Sequence, residues 1–304
     1  VIKSDKMEFP NKNFPYPKQL NPKAVAFLRQ APKNDIENKS IPEIRKEMIG
    51  IGDYLFGKCL QGVNSENNNV DGRIPIRIYS SGSPVHPDKA HPAIVYAHGG
   101  AWCFGGLDMA DEICSALAKK LDAVVVSVDY RLAPEHPYPA GLDDVYRVLE
   151  WVSENADHLK IDKSKIIVGG GSAGGNIAAA VALKAANEKG PRVFSQLLIY
   201  PACDLSACNT HSYLNYGNHF GLQKEMMEKA IEAYVPIEQE RKNPLVSPLL
   251  AEDVNILPPA LILTAGFDPL HDEGIAYADK LKQSGVNVVL LNYEKEIHGF
   301  VQFS

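Results

Sequence analysis

Lys165-Ile166-Ile167-Val168-Gly169-Gly170-Gly171-Ser172-Ala173-Gly174 runs straight into the alanine-rich stretch Asn176 to Ala186. The apolar, β-branched opening reads as a buried strand and the alanine-rich stretch as a helix. A Gly-x-Ser-x-Gly between a strand and a helix describes a nucleophile elbow. The turn is so sharp that Ser172 is held in a strained backbone conformation with its side chain projecting into a cleft. Gly170 and Gly174 are needed because a Cβ at either position would collide with the neighbouring strand and helix. A serine hydroxyl placed this way is no better a nucleophile than water until a base and an oxyanion site are supplied. Both must come from elsewhere in the chain.

An elbow of this kind draws its acid, and then its histidine, from later in the sequence. The apolar strand Ala260 to Thr264 ends in Ala265-Gly266-Phe267-Asp268-Pro269-Leu270, which puts Asp268 just past a strand C-terminus. Asp272 and Glu273 are nearby alternatives. They open the next helix, Glu273 to Ser284, and read better as its capping and dipole-compensating acids. The strand Val286 to Leu291 then leads through Asn292-Tyr293 to Ile297-His298-Gly299-Phe300. In a parallel sheet His298 comes within reach of both Asp268 and Ser172.

The oxyanion part is read from Ala97-His98-Gly99-Gly100-Ala101-Trp102, after the strand Ala93 to Tyr96. Two consecutive glycines let backbone N–H groups face the cleft without side-chain obstruction. Gly99 and Gly100, together with the amide of Ala173, are expected to donate to a developing O⁻. Each such donor contributes about 2.7–4 kcal/mol in the transition state. His98 is the tempting alternative base. It precedes the serine and has no acid following at suitable spacing, so it reads as a brace for its loop.

These stretches resemble the hormone-sensitive lipase family of α/β-hydrolase esterases. The matching segments are His98 to Trp102, Asp129-Tyr130-Arg131-Leu132-Ala133-Pro134-Glu135-His136-Pro137-Tyr138-Pro139-Ala140, Gly170 to Asn176, Asp268 to Gly274 and His298-Gly299-Phe300. They span residues 98 to 300 in the right order, and the Asp-Tyr-Arg-Leu-Ala-Pro-Glu run is absent from generic α/β-hydrolases. The resemblance implies a serine carboxylesterase with a mostly parallel eight-stranded sheet, helices on both faces and a helical cap. It also implies a preference for short- to medium-chain acyl esters with no metal or cofactor. Within it, Ser172, Asp268 and His298 are the expected triad, working through an acyl-enzyme intermediate. Glu135 and His136 are expected to hold the Arg131 loop and the elbow surroundings, and Asn176 to serve the helix start.

Two features depart from the family pattern. The residue before the nucleophile is usually Asp, and here it is Gly171; the third adjacent glycine costs about 0.5–1 kcal/mol of chain entropy. The expectation is an active enzyme with reduced activity or altered preference. The chain also stops at Ser304, shortly after His298, where the family has a terminal helix over one sheet face. A bare final strand would be unstable, so the resemblance implies a further segment.

Composition is compatible with this reading. The 304 residues are 45% apolar, ample for a large core, and a net charge of −6 with no basic cluster argues against a nucleic-acid surface. No apolar stretch approaches the roughly 18 residues of a membrane span, and no secretory h-region opens the chain. Cys59, Cys103, Cys114, Cys203 and Cys208 are irregularly spaced and read as reduced, mostly buried thiols, with a Cys203–Cys208 loop bridge as the alternative. The expectation is a cytoplasmic protein, with a removed leader left open by the first residue, Val1. A small-molecule ester is the expected partner, and a homodimer is the assembly the resemblance allows.

Residues 1–56 carry apolar residues at helical spacing (Val25, Phe27, Leu28; Ile41, Ile44, Met48, Ile49) and read as an N-terminal cap segment. Ile74 to Tyr79 alternates like a strand, and Gly82 to Pro92 is a polar loop. From Pro92 onward strands and helices alternate, which calls for a parallel sheet covered on both faces. The catalytic domain is thus residues 57–304. Its rhythm breaks at about 204–255, where one helix, Gln223 to Tyr234, marks a second cap portion. Phe9, Phe14, Tyr16, Tyr213, Tyr216, Phe220, Met226 and Met227 offer apolar surface for an acyl pocket or simply pack the cap. Trp102 and Phe104, flanking the oxyanion loop, join Tyr213 and Phe220 as candidate substrate contacts. Two other readings compete. One is an amide deacetylase of the arylacetamide type. The other is a non-catalytic binding protein of the same fold, of which the intact His298 is the contrary sign.

Overall fold

The alternation beginning near Pro92 folds into one mixed sheet. The computed structural model describes residues 11–30, 38–49, 57–82 and 89–302. Phe9, the centre of the Gly82–Pro92 loop, Ser304 and the side chains of Met48 and Ile49 lie outside the described residues. In chain order the elements are α1 (Pro22–Gln30), α2 (Ile41–Ile49), β1 (Val63–Val70), β2 (Ile74–Ser81) and β3 (His91–Ala97). Next come α3 (Asp111–Leu121), β4 (Val124–Val128), α4 (Ala140–Glu154), β5 (Ile161–Gly171), α5 (Ala173–Glu188) and β6 (Ser195–Ile199). The last are α6 (His211–Tyr216), α7 (Lys224–Tyr234), β7 (Ala260–Phe267), α8 (His271–Gln283) and β8 (Val288–Ile297).

The sheet has eight strands in the order β1-β2-β4-β3-β5-β6-β7-β8. The first two pairings are antiparallel and the remaining five parallel. Side-chain alternation sorts the core onto two faces. Val95, Val126, Val168 and Ile262 lie with the buried residues of α4, α5 and α8, while Ile94, Tyr96, Val125 and Ile199 lie with Cys114 and Ala118 of α3. Burying a side chain of this size contributes about 1.5–3 kcal/mol, so a parallel sheet covered on both faces is the stable answer to these apolar strands.

Several elements differ from the sequence reading. β1, Val63-Asn64-Ser65-Glu66-Asn67-Asn68-Asn69-Val70, is a strand with no apolar alternation. It is an edge strand with mostly exposed side chains, held by its antiparallel register with β2 and a turn in which Asp71 and Gly72 take φ of 53° and 69°. β8 runs on to Ile297, beyond the expected end at Leu291, because the polar residues Glu294 to Glu296 lie on an outer strand where exposure costs little. The region 204–255 holds α6 as well as α7; α6 is capped by Thr210, whose side chain accepts from Tyr213 N–H. All five cysteines are free thiols, so the Cys203–Cys208 bridge does not form.

β3 lies between β4 and β5, so the chain leaves it in opposite directions on successive crossovers. Such a switch point opens a crevice at the strands' C-terminal ends. The loop after β3 and the elbow after β5 meet there, with Ala97 opposite Gly170 in the ladder. Two strands along, Phe267 pairs with Ile297 past a bulge after Ala265, and this register sets Asp268 beside His298. Among the described residues no helix is long and apolar enough to cross a membrane.

Candidate active site

Ser172 sits between β5 and α5 with φ 58° and ψ −121°. A non-glycine residue held there costs about 1–3 kcal/mol, sustained only by its surroundings. The surroundings are tight. A Cβ at Gly174 would lie 2.0 Å from the Ala97 carbonyl oxygen, and one at Gly170 2.3 Å from that of Gly174. The Ser172 N–H is tied to Ile199 O at 2.9 Å.

His298 Nε2 lies 2.9 Å from Ser172 Oγ, and His298 Nδ1 lies 2.7 Å from Asp268 Oδ2. Asp268 is fully buried, and its other oxygen accepts from Leu270 N–H at 2.9 Å. With Nδ1–H donating to Asp268, Nε2 presents its lone pair to the Ser172 hydroxyl. The Tyr200 ring lies tilted against the imidazole, 4.7 Å between centroids, and limits its rotation.

Facing the serine is the loop 98–104. A Cβ at Gly99 would stand 3.6 Å from that of Ser172. The Gly99 and Gly100 N–H groups have no partner among the described residues, and Ala173 opens α5, where N–H groups lack intrahelical acceptors. The loop runs through positive φ at Gly100 (110°), Ala101 (50°) and Trp102 (58°). Its carbonyls are captured in turn: Gly99 O by His98 Nδ1 at 2.6 Å, Gly100 O by Cys103 and Phe104 N–H, and Trp102 O by Ala133 N–H. His98 is the brace expected for it. Its ring stacks on Tyr130, and burial pushes its pKa down to about 4.

A family profile described as the α/β hydrolase fold matches residues 94–302. The chain belongs to the α/β hydrolase fold family. Among its relatives, the carboxylesterase NlhH of Mycobacterium tuberculosis is 43% identical over 76% of this chain and 72% of its own. An ethyl acetate hydrolase of Pseudomonas putida is 33% identical over 93% and 92%. An esterase structure from Pyrobaculum calidifontis superposes with a TM-score of 0.84 at 37% identity, covering 93% of this chain and 92% of that one.

Around this α/β-hydrolase site the remaining residues take definite places. Trp102, Phe104, Tyr213 and Phe220 are all buried. Trp102 stacks on Tyr234 and donates from Nε1 to Asn176 Oδ1 at 3.2 Å. Phe220 stacks on Phe267, the residue before Asp268, and belongs to an apolar cluster with Leu20, Leu28 and Ile297. Asn176 does more than begin a helix that in fact starts at Ala173. It is buried and its Nδ2 donates to Ala202 O and Val246 O, joining three segments.

Asp272 and Glu273 lie in the first turn of α8, as expected, but neither side chain caps it. Glu273 is buried, and its Oε1 accepts from Cys203 N–H at 3.0 Å. Burial, the largest influence, drives its pKa far up. Asp272 accepts from Ser212 N–H at 2.8 Å. Arg131 is held by Asp144 through bonds of 2.8 Å at Nε and Nη2, and not by Glu135 or His136. Glu135 instead grips Arg45, 90 residues away in sequence. An added Cβ at Gly171 would meet Tyr200 at 3.4 Å and the Tyr96 hydroxyl at 3.5 Å, ordinary contact distances.

Proposed function

We propose that Ser172 is the nucleophile of a carboxylic ester hydrolase acting on short- to medium-chain acyl esters in the manner of the hormone-sensitive lipase family. The observation that carries this reading is the pair of contacts at His298, 2.9 Å to Ser172 Oγ and 2.7 Å to Asp268, beside a loop with two unengaged amides. Relatives named as a carboxylesterase and an ethyl acetate hydrolase support the ester and the small acyl group.

In this mechanism His298 Nε2 takes the Ser172 proton as Oγ attacks the ester carbonyl, and Asp268 holds the Nδ1–H tautomer and stabilises the imidazolium. The amides of Gly99, Gly100 and Ala173 receive the negative charge that forms on the carbonyl oxygen. Collapse breaks the acyl C–O bond, and His298 delivers its proton to the departing alcohol. A water molecule, deprotonated by the same nitrogen, then attacks the acyl-enzyme and frees the acid. Residues 1–56 and about 204–255 serve as the cap. Phe220 is its substrate-side aromatic residue, with Trp102, Phe104 and Tyr213 shaping the wall behind.

The test is the initial rate of p-nitrophenyl ester hydrolysis from acetate to palmitate, for the wild type and Ser172→Ala. Cleavage that peaks at short chains and disappears in the variant is the expected outcome. Activity that survives in the variant overturns the assignment.

A further inference from the structure

The loop carrying the two unengaged amides is held by more than its own domain. Among the described residues, its carbonyl contacts come from nearby residues between His98 and Ala133, with one exception. Cys103 O accepts from Arg45 Nε at 2.7 Å, and Arg45 belongs to α2, in the N-terminal segment. The same guanidinium donates from Nη2 to Ala133 O at 2.6 Å. Ala133 in turn gives its N–H to Trp102 O at 3.0 Å. Arg45 therefore grips the oxyanion loop directly at Cys103 and at one remove at Trp102, next to the left-handed stretch Gly100 to Trp102.

The rest of the arginine is oriented as tightly. Nη1 and Nη2 meet Glu135 Oε1 and Oε2 at 2.9 and 3.0 Å, a fork-to-fork pair. α2 is itself anchored by Ile41 and Ile44, both in the main core cluster. A planar fork is needed here, because two carbonyls and a carboxylate lie in different directions around one group and a lysine ammonium cannot span them.

We propose that Arg45 is a positioning residue for the oxyanion donors Gly99 and Gly100, so that docking of α2 completes the catalytic site. The proposal rests on the esterase reading above. An arginine with a purely scaffolding role would affect stability alone, and one on a substrate lid would affect KM. A residue that sets the angle of the oxyanion loop affects the transition state. It changes kcat, and it changes the affinity of a trifluoromethyl ketone, to which Ser172 Oγ adds to give a tetrahedral oxyanion while its proton passes to His298.

The experiment compares wild type, Arg45→Ala, Arg45→Lys, Glu135→Gln and Ser172→Ala on p-nitrophenyl butyrate. Its readouts are kcat, KM, trifluoromethyl ketone affinity, melting temperature and the effect of added methylguanidine. Arg45→Ala is expected to lose between about tenfold and 10²-fold in kcat, with KM little changed. Its ketone affinity falls by a matching factor, and methylguanidine restores part of kcat in that variant alone. Arg45→Lys loses kcat and ketone affinity as Arg45→Ala does, without the methylguanidine rescue, and Glu135→Gln shows a smaller loss of the same kind. A folded Arg45→Ala protein with kcat within twofold of wild type, or with only KM raised, overturns the proposal. Should Arg45→Ala fail to fold, Glu135→Gln decides, since Glu135 is half-exposed and its side chain can change without a core defect: unchanged kcat and ketone affinity there are the overturning result. A wild type no more active than Ser172→Ala would instead refute the esterase reading.

Discussion

Replacing Asn176 by alanine removes a buried junction rather than a catalytic group, and its cost can be worked out from the partners. Asn176 accepts from the Trp102 indole N–H and donates to Ala202 O and Val246 O at 3.0 and 2.9 Å. All three partners lose their bond in a site closed to water. Each orphaned group costs about 1–3 kcal/mol, and because the three share one residue the sum is less than additive, giving about 3–5 kcal/mol. For a chain of this size that is a melting-temperature drop of roughly 5–8 °C. Asn176→Asp should be at least as damaging: it can still accept from Trp102 but turns a carboxylate toward two carbonyls. Differential scanning calorimetry checks the drop, and kinetics below the transition check that the residual kcat stays within an order of magnitude, since Ser172, His298 and Asp268 are untouched. A melting temperature within 1–2 °C of wild type for Asn176→Ala, well below the few kcal/mol expected, would refute the claim that these bonds carry load.

Other outcomes follow from the same geometry. Asp268→Asn forces the wrong imidazole tautomer, and kcat should fall about 10⁴-fold with little loss of stability; a fall under tenfold in steady-state rates would remove Asp268 from its role. Gly171→Ala, at a position with ordinary contact distances for a Cβ, should stabilise the protein by about 0.4–1 kcal/mol through the unfolded chain, measured by urea titration. Burial holds His98 at about 4 in the folded protein, below the usual 6.5 or so, so as pH falls the unfolded chain takes up this proton first. The linked stability is fully present above pH ~6.5 and is lost progressively down to pH ~4, on the order of 3 kcal/mol. Urea titrations across that window should show the wild type losing that much more than His98→Gln; parallel losses would contradict the buried neutral imidazole.

The parts of the site that were legible beforehand are those the chain writes contiguously. Ser172 lies in a five-residue turn whose glycines are sterically compelled, and Asp268 and His298 each follow an apolar strand. The parallel sheet followed from strand–helix alternation. What escaped are the junctions whose meaning depends on distant partners. Asn176 reads as a helix-start residue until Trp102 and Val246, 74 and 70 positions away, are brought against it. Glu273 has the look of a first-turn acid, and only the approach of Cys203 makes it a buried brace. β1 is polar between its terminal valines, so nothing in its own residues marks a strand; its pairing with β2 does. Arg45 carries no local signal at all, being one of two adjacent cations on a short amphipathic helix.

The most direct test of the central claim is covalent. Diethyl p-nitrophenyl phosphate, attacked by an activated serine, loses p-nitrophenol and leaves a phosphoryl group on the attacking oxygen. Intact mass and peptide mapping, followed alongside esterase activity, should show one adduct, on the peptide containing Ser172, accumulating in step with the loss of activity and absent from His298→Ala over the same time. Complete inactivation with the Ser172 peptide unmodified, or full labelling of Ser172 with activity retained, would contradict the account.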